Sequence, residues 1–347
     1  MTTMSFGRMA SHPAAMLLPV QGAETAEAEV EAVAGRLAEL LLSGSGVVSD
    51  SRAELEMEPD LTPRPLGAPR SVPEVWAVDG GQGLVADARC LEVVVTRAAV
   101  ACFRDGAIAL EEEGPLGVHL LGSGVRAPRS VAGVELPPDV AVDLNLLRDA
   151  AEWAAVASCV ERAVPGSLVV VDGDLVPDWR LPAALVDDLL ARATDRSVSL
   201  VAVTKHSSLA RGGAPLVGQL EIEAAQTLGA RFRWWVPVGR TREGSRWPRL
   251  RVVVARLDPD ARYAFRIDLP TEADPEELLS ALAAVSADAA FPGYPYPLSV
   301  ADRLAACPAW LRAEVGVALD EALERASVPA EVRDRAFADR HRLMERA

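Results

Sequence analysis

The spacing of apolar positions changes several times along the chain, and each change marks an element. From Ala26 to Leu42 the residues Val30, Val33, Leu37, Leu40 and Leu41 recur at helical spacing, and Gly44 and Gly46 stop the run. Residues 51–73 turn acidic and then proline-rich (PDLTPRPLGAPRSVP), a pattern that predicts an extended linker rather than a packed element. VWAVDGG predicts a short strand ending at Asp79, and LEVVVTRAAVACFRDGAIAL a β-hairpin turning at Asp105-Gly106. Asp143 is placed to N-cap a helix through DLNLLRDAAEWAAVASCVERAVPG, closed by Gly166. Two buried strands follow, SLVVVDG at 167–173 and SVSLVAVTK at 197–205, with a helical segment near 181–194 between them. LRVVVARL and ARYAFRIDL predict two further strands joined by a turn at Asp258-Pro259. Helical spacing returns from Asp274 to Ala290, in the segment carrying Asp302 after FPGYPYPLSV, and through the last 35 residues.

Three strands followed by helix, strand, helix, strand is the order of an α/β, ribonuclease H-like mixed sheet. It starts with an antiparallel hairpin, continues by helix-strand alternation, and carries helical additions at both ends. The expected division is residues 1–73 (helix and linker), 74–310 (the main domain) and 311–347 (a helical extension).

Composition narrows the classes. Half of the 347 residues are apolar and 24% are charged, enough for a core and too few charges for a disordered chain. The net charge of −15 excludes a histone-like basic coat but leaves room for a local basic patch. No apolar run reaches the roughly 18 residues of a membrane helix, and the four cysteines lack metal-binding spacing, so a soluble cytoplasmic protein with reduced thiols is expected. The 35 basic residues contain one lysine, Lys205, among 34 arginines. A compact ammonium at the end of a strand can do what a planar guanidinium cannot.

Asp79 and Asp172 each follow an apolar run and precede glycine, where an open α/β sheet presents its ligand crevice. One Asp-Gly pair is ordinarily only a turn; two that end strands of one sheet point to a shared site. Glu152, on the helix before the Asp172 strand, could join them, with Glu161 as its competitor. Clustered carboxylates repel one another unless a cation neutralises them, and hard oxygen donors suit Mg²⁺ or Mn²⁺. Two such ions would serve phosphodiester hydrolysis. Lys205 could hold a phosphate, Asp302 could be a fourth carboxylate, and His206 is more simply a surface residue. GGQG at 80–83 only loosely matches a phosphate-cradling loop. Residues 231–266 hold ten arginines against three acids with interleaved aromatics. Arg240, Arg242, Arg246, Trp234 and Trp235 are therefore candidates for contacting phosphates and stacking on bases.

AVDGG, the Glu-bearing helix, VVVDGDL, LVAVTKHSS and FPGYPYPLSVADRLA, in that order over residues 74–310, resemble the NurA nuclease family. The resemblance implies a ribonuclease H-like fold and a metal-dependent nuclease, Mn²⁺ preferred, degrading single strands and resecting duplex DNA ends 5′→3′ in double-strand break repair. It implies a homodimer working with the hexameric ATPase HerA. Asp79 and Asp172 match the family's metal-binding aspartates, Glu152 its helix glutamate and Lys205 the lysine of its Ser-Lys motif. Asp302 falls where some members have histidine. The motifs VDGG and TKHS depart from the usual VDGS and Ser-Lys pattern but keep every carboxylate. Two other readings are a phosphotransferase of actin or sugar-kinase type and a non-catalytic scaffold binding DNA or the ATPase.

Overall fold

The computed structural model describes residues 23–42, 46–52, 54–126, 128–182 and 184–338. In chain order, α1 (Ala23–Leu42) is followed by β1 (Val48–Asp50), β2 (Leu55–Met57), β3 (Arg64–Pro65), β4 (Glu74–Asp87), β5 (Leu91–Arg104), β6 (Ala107–Glu113), β7 (Gly117–Gly122), β8 (Ser130–Val131) and β9 (Val134–Glu135). Next come α2 (Leu144–Arg162), β10 (Leu168–Asp172), α3 (Ala184–Asp195), β11 (Ser199–Thr204), β12 (Leu209–Arg211), β13 (Ala214–Pro215) and α4 (Leu216–Thr227). The last elements are β14 (Trp234–Thr241), β15 (Leu250–Arg256), β16 (Phe265–Pro270), α5 (Pro275–Ala284), α6 (Tyr296–Ala305), α7 (Ala309–Arg325) and α8 (Ala330–Ala336).

One sheet organises the chain, in the order β2-β14-β15-β16-β11-β10-β4-β5-β6, with β3 also on β14 and β7 on β5. β10 is parallel to β4 and β11, and every other pairing in this sheet is antiparallel. This is the mixed, ribonuclease H-like order expected from the sequence. Alternation along the strands builds two cores. Trp76, Val78, Val169, Val171, Leu200 and Ala202 face α2, α3 and α4. Val75, Ala77, Leu168, Val170, Val201 and Val203 face α5 and α6.

Local signals act as expected at the ends of elements. Asp105 and Gly106 both have positive φ (53° and 75°), as a two-residue hairpin turn requires. The Leu146 amide donates to the Asp143 carboxylate at 2.9 Å, capping α2.

Three expectations need correction. The proline-rich segment is extended but packed: β2 and β3 pair with β14, and Leu55 and Leu66 are buried. The short strand does not end at Asp79. β4 runs on to Asp87 because β5 keeps pairing with it after β10 has parted from it at Val78. GGQG is therefore part of a strand, not an open loop. At Gly81 a Cβ would lie 1.8 Å from the Ala305 carbonyl, so that glycine lets the end of α6 close on β4. β14 and α4 have no counterpart in the elements read from the sequence. Along α1, the described apolar side chains Val30, Val33, Leu37, Leu40 and Leu41 remain exposed.

Candidate metal centre

Parity along the strands decides which side chains meet. Asp79, Asp172 and Lys205 continue the alternation of Val75-Ala77, Leu168-Val170 and Val201-Val203, so they emerge on the α5/α6 face. α6 crosses that face and brings Asp302. Oxygens of Asp79, Asp172 and Asp302 all lie within 4.8 Å of one another. The Lys205 ammonium spans two of them, 2.6 Å from Asp172 Oδ2 and 3.1 Å from Asp302 Oδ1, and sits 5.2 Å from the centre of the Tyr294 ring.

Glu152 comes from the other layer. Its α2 packs on the opposite face, and its carboxylate reaches the backbone of Gly80, where a Cβ would stand 2.8 Å from Glu152 Oε2. It lines the same cavity of about 400 Å³ as the three aspartates and Lys205 without joining their oxygen cluster. Its competitor Glu161 lies nine residues further along α2, paired with Arg192 and Arg196, and does not line the cavity. His206 also lines the cavity.

Electrostatics single out the same residues. Burial, followed by the neighbouring Asp172 charge, pushes the Asp79 carboxyl from 3.8 up to about 7, against the pull of Lys205. The Gly80 amide donates to Asp79 Oδ1 at 2.7 Å. Burial and the Asp79 charge hold Glu152 well above the ordinary glutamate range. Burial alone would lower Lys205, but its contacts with Asp172 and Asp302 outweigh that and hold it above an ordinary lysine. An assembly of carboxylates this crowded, with oxygen donors on three elements, has the donor set of a hard divalent cation, and such a cation would relieve the repulsion.

The sequence reading missed several neighbours. Arg52, Arg148, Asp149 and Asp174 line the cavity. Asp174, the second acid of the DGD motif, is raised to about 6 by burial and then by Asp268. Arg148 stands one helical turn before Glu152, a spacing that could have marked it. The Tyr294 hydroxyl is buried beside Asp172; burial and that charge hold its proton on, yet it makes no hydrogen bond of good geometry. Its signal was the GYPYPL block, read there only as a family motif.

A search for similar folds finds the NurA nuclease of Sulfolobus solfataricus, with a TM-score of 0.55 over 88% of this chain and 96% of that one, at 14% identity. The chain has a NurA-like fold. More distant matches are the catalytic domain of human Endonuclease V (TM-score 0.37, 16% identity, 72% of this chain and 85% of that one) and Endonuclease V of Ciona intestinalis in complex with a 23mer DNA containing an inosine (TM-score 0.38, 10% identity, 67% and 84%). No family model and no curated protein sequence matches.

In this NurA-like fold the arginine-rich segment is arranged differently from the sequence expectation. Trp234 and Trp235 are 1% and 8% exposed, one in each core, because adjacent positions of a central strand face opposite layers. They are core residues and cannot stack on bases. Arg240 and Arg242 lie at the far end of β14, four strands from β10 or about 19 Å at the usual strand spacing. There they pair with Glu58 and Glu54 at 3.6 and 3.9 Å. Arg246 donates to the Trp179 carbonyl and stacks on Trp247. None of the three arginines lines the carboxylate cavity.

Proposed function

We propose that the chain is a divalent-metal-dependent DNA nuclease that cuts single strands and duplex ends. The observation that carries this reading is the cluster of Asp79, Asp172 and Asp302 oxygens with the Lys205 ammonium laid across it. Asp79, Asp172 and Asp302 would hold the cation, with Glu152 reaching the same cavity from the opposite layer. When bound, Mn²⁺ or Mg²⁺ supplies Lewis acidity and a more acidic water for phosphodiester hydrolysis. The chain's own groups orient the substrate. Lys205 offers a compact positive charge that can leave its carboxylate partners for a phosphate oxygen. Arg148 and Arg52 add charge on the cavity wall. Tyr294 holds the Lys205 ammonium over its ring face.

The reading extends to 5′→3′ resection in double-strand break repair, as a homodimer beside a HerA-type hexameric ATPase. The order of motifs supports that extension, and so does the NurA-like fold. No described helix is long and apolar enough to cross a membrane. The phosphotransferase alternative loses its loop, since the 80–83 glycines are packed in β4 against α2, α6 and α7.

The deciding experiment incubates labelled single-stranded DNA with the full chain and Mn²⁺, Mg²⁺ or a chelator, and runs ATP without DNA in parallel. Metal-dependent cleavage supports the nuclease. DNA binding without cleavage would favour the scaffold, and ATP turnover the phosphotransferase.

A further inference from the structure

The turn between β15 and β16 and the loop between α5 and α6 meet at the cavity end of the sheet. Thr204 pairs with Arg266 and Ala255 with Phe265, so residues 257–264 leave the sheet at the level where β11 delivers Lys205. The two segments touch: a Cβ on Gly293 would lie 2.4 Å from the Ala261 side chain. Arg256 fastens the turn by donating to the Pro259 and Ala261 carbonyls at 3.0 and 2.6 Å.

On this fastened platform two aromatic rings face solvent, Tyr263 at 51% and Phe291 at 62% exposure. They are not isolated. Phe291 packs edge-on against Tyr294 at 6.4 Å between ring centres, and the other side of that contact leads to the Lys205 ammonium. Arg262 lies 5.1 Å over the Tyr263 ring. Tyr263 stands two residues before β16, in the turn that Arg256 fastens. Exposed rings on a braced backbone, one of them linked through Tyr294 to the Lys205 ammonium, are the chemistry that receives unpaired bases.

We propose that Tyr263 and Phe291 are base-stacking platforms that lead one DNA strand, unpaired, from the β15–β16 side to the carboxylate cluster. This rests on the nuclease reading and adds to it the direction of approach and the single-stranded state of the DNA next to the cut. Stacking carries the site more than charge does, because Asp258 and Asp260 stand beside Arg262 in the same turn.

The test measures binding of the full chain to a labelled oligothymidylate of about 12 nucleotides, in EDTA to prevent cleavage, by fluorescence anisotropy. A matched strand lacking bases and a duplex of equal length serve as comparators. Tyr263→Ala and Phe291→Ala should each weaken oligothymidylate binding about tenfold and leave the baseless strand unaffected, whereas Tyr263→Phe and Phe291→Trp should bind like wild type. Arg240→Ser with Arg242→Ser should change nothing. Unaltered melting curves exclude a folding defect, since both rings are exposed. Wild-type binding and cleavage with undiminished affinity in both alanine variants would overturn the platform while sparing the nuclease. Equal losses on the baseless strand, or a preference for oligouridylate over oligothymidylate, would also overturn it. Failure of the wild type to bind or cut any DNA would remove the nuclease reading and this inference with it.

Discussion

Replacing Asp79 by asparagine should make the metal-free protein more stable, by an amount that grows with pH. The Asp79 carboxyl is raised from 3.8 to about 7 by burial and by Asp172. Unfolding frees it from both, so the folded chain holds this proton more tightly than the unfolded one. Below about pH 4 the group is protonated in both states and carries no penalty. As pH rises through 7 the folded chain must charge it, at about 1.36 kcal/mol for each pH unit between the two values, or about 4 kcal/mol in all. Asparagine never charges, and its side-chain oxygen can still accept from the Gly80 amide. An unfolding entropy of about 2.1 cal/mol/K per residue over 347 residues converts 4 kcal/mol into a rise in Tm of about 6 °C. Melting curves of both proteins in EDTA from pH 4 to 8.5 would measure it. The difference should be near zero at pH 4 and complete above pH 7.5. With Mn²⁺ the order should reverse, because the cation stabilises the wild type by mass action and has lost a ligand in the variant. A variant that melts at or below wild type at pH 8 without metal, or a gain independent of pH, would refute the crowded-carboxylate account.

Other substitutions test other parts of the site. Asp172→Ala should abolish cleavage while leaving the far-UV spectrum intact, and measurable metal-dependent turnover in it would count against the centre. Lys205→Arg should keep DNA affinity but lower single-turnover cleavage at least tenfold, because a guanidinium fork does not fit 2.6 and 3.1 Å from two carboxylates above the Tyr294 ring. Arg266→Ala should cost about 3–5 kcal/mol in urea unfolding, since it strands the fully buried carboxylates of Asp50 and Asp268. Gly81→Ala should lower both Tm and activity, because the new methyl meets the Ala305 carbonyl and displaces the helix carrying Asp302, whereas Gly218→Ala should leave activity unchanged at an open position.

Periodicity and local chemistry alone determined β4, β5, β6, α2, β10, α3 and β11 in that order, though not β7 to β9 between them, and also the Asp105-Gly106 hairpin and the Asp143 cap. Each depends on contacts a few residues apart; Asp172 and Lys205 were visible because strand ends carry them, and Asp79 because a glycine follows it just where β10 has parted from β4. Tertiary structure decided what depends on facing and distance. Glu152 and Glu161 are equivalent helix acids in sequence, and only the packing of α2 against Gly80 separates them. Trp234 and Trp235 looked like base-stacking residues, but two neighbouring positions of an interior strand must enter two opposite cores. Arg240 and Arg242 are near Lys205 in composition and four strands away in space, because β14 runs its far end away from the cavity. Tyr294 gained its place only when the α5–α6 loop folded over β11. Local sequence dictates where a side chain sits along its own strand or helix; which carboxylate it meets is set by strand pairings between residues far apart in the chain, and no local pattern records them.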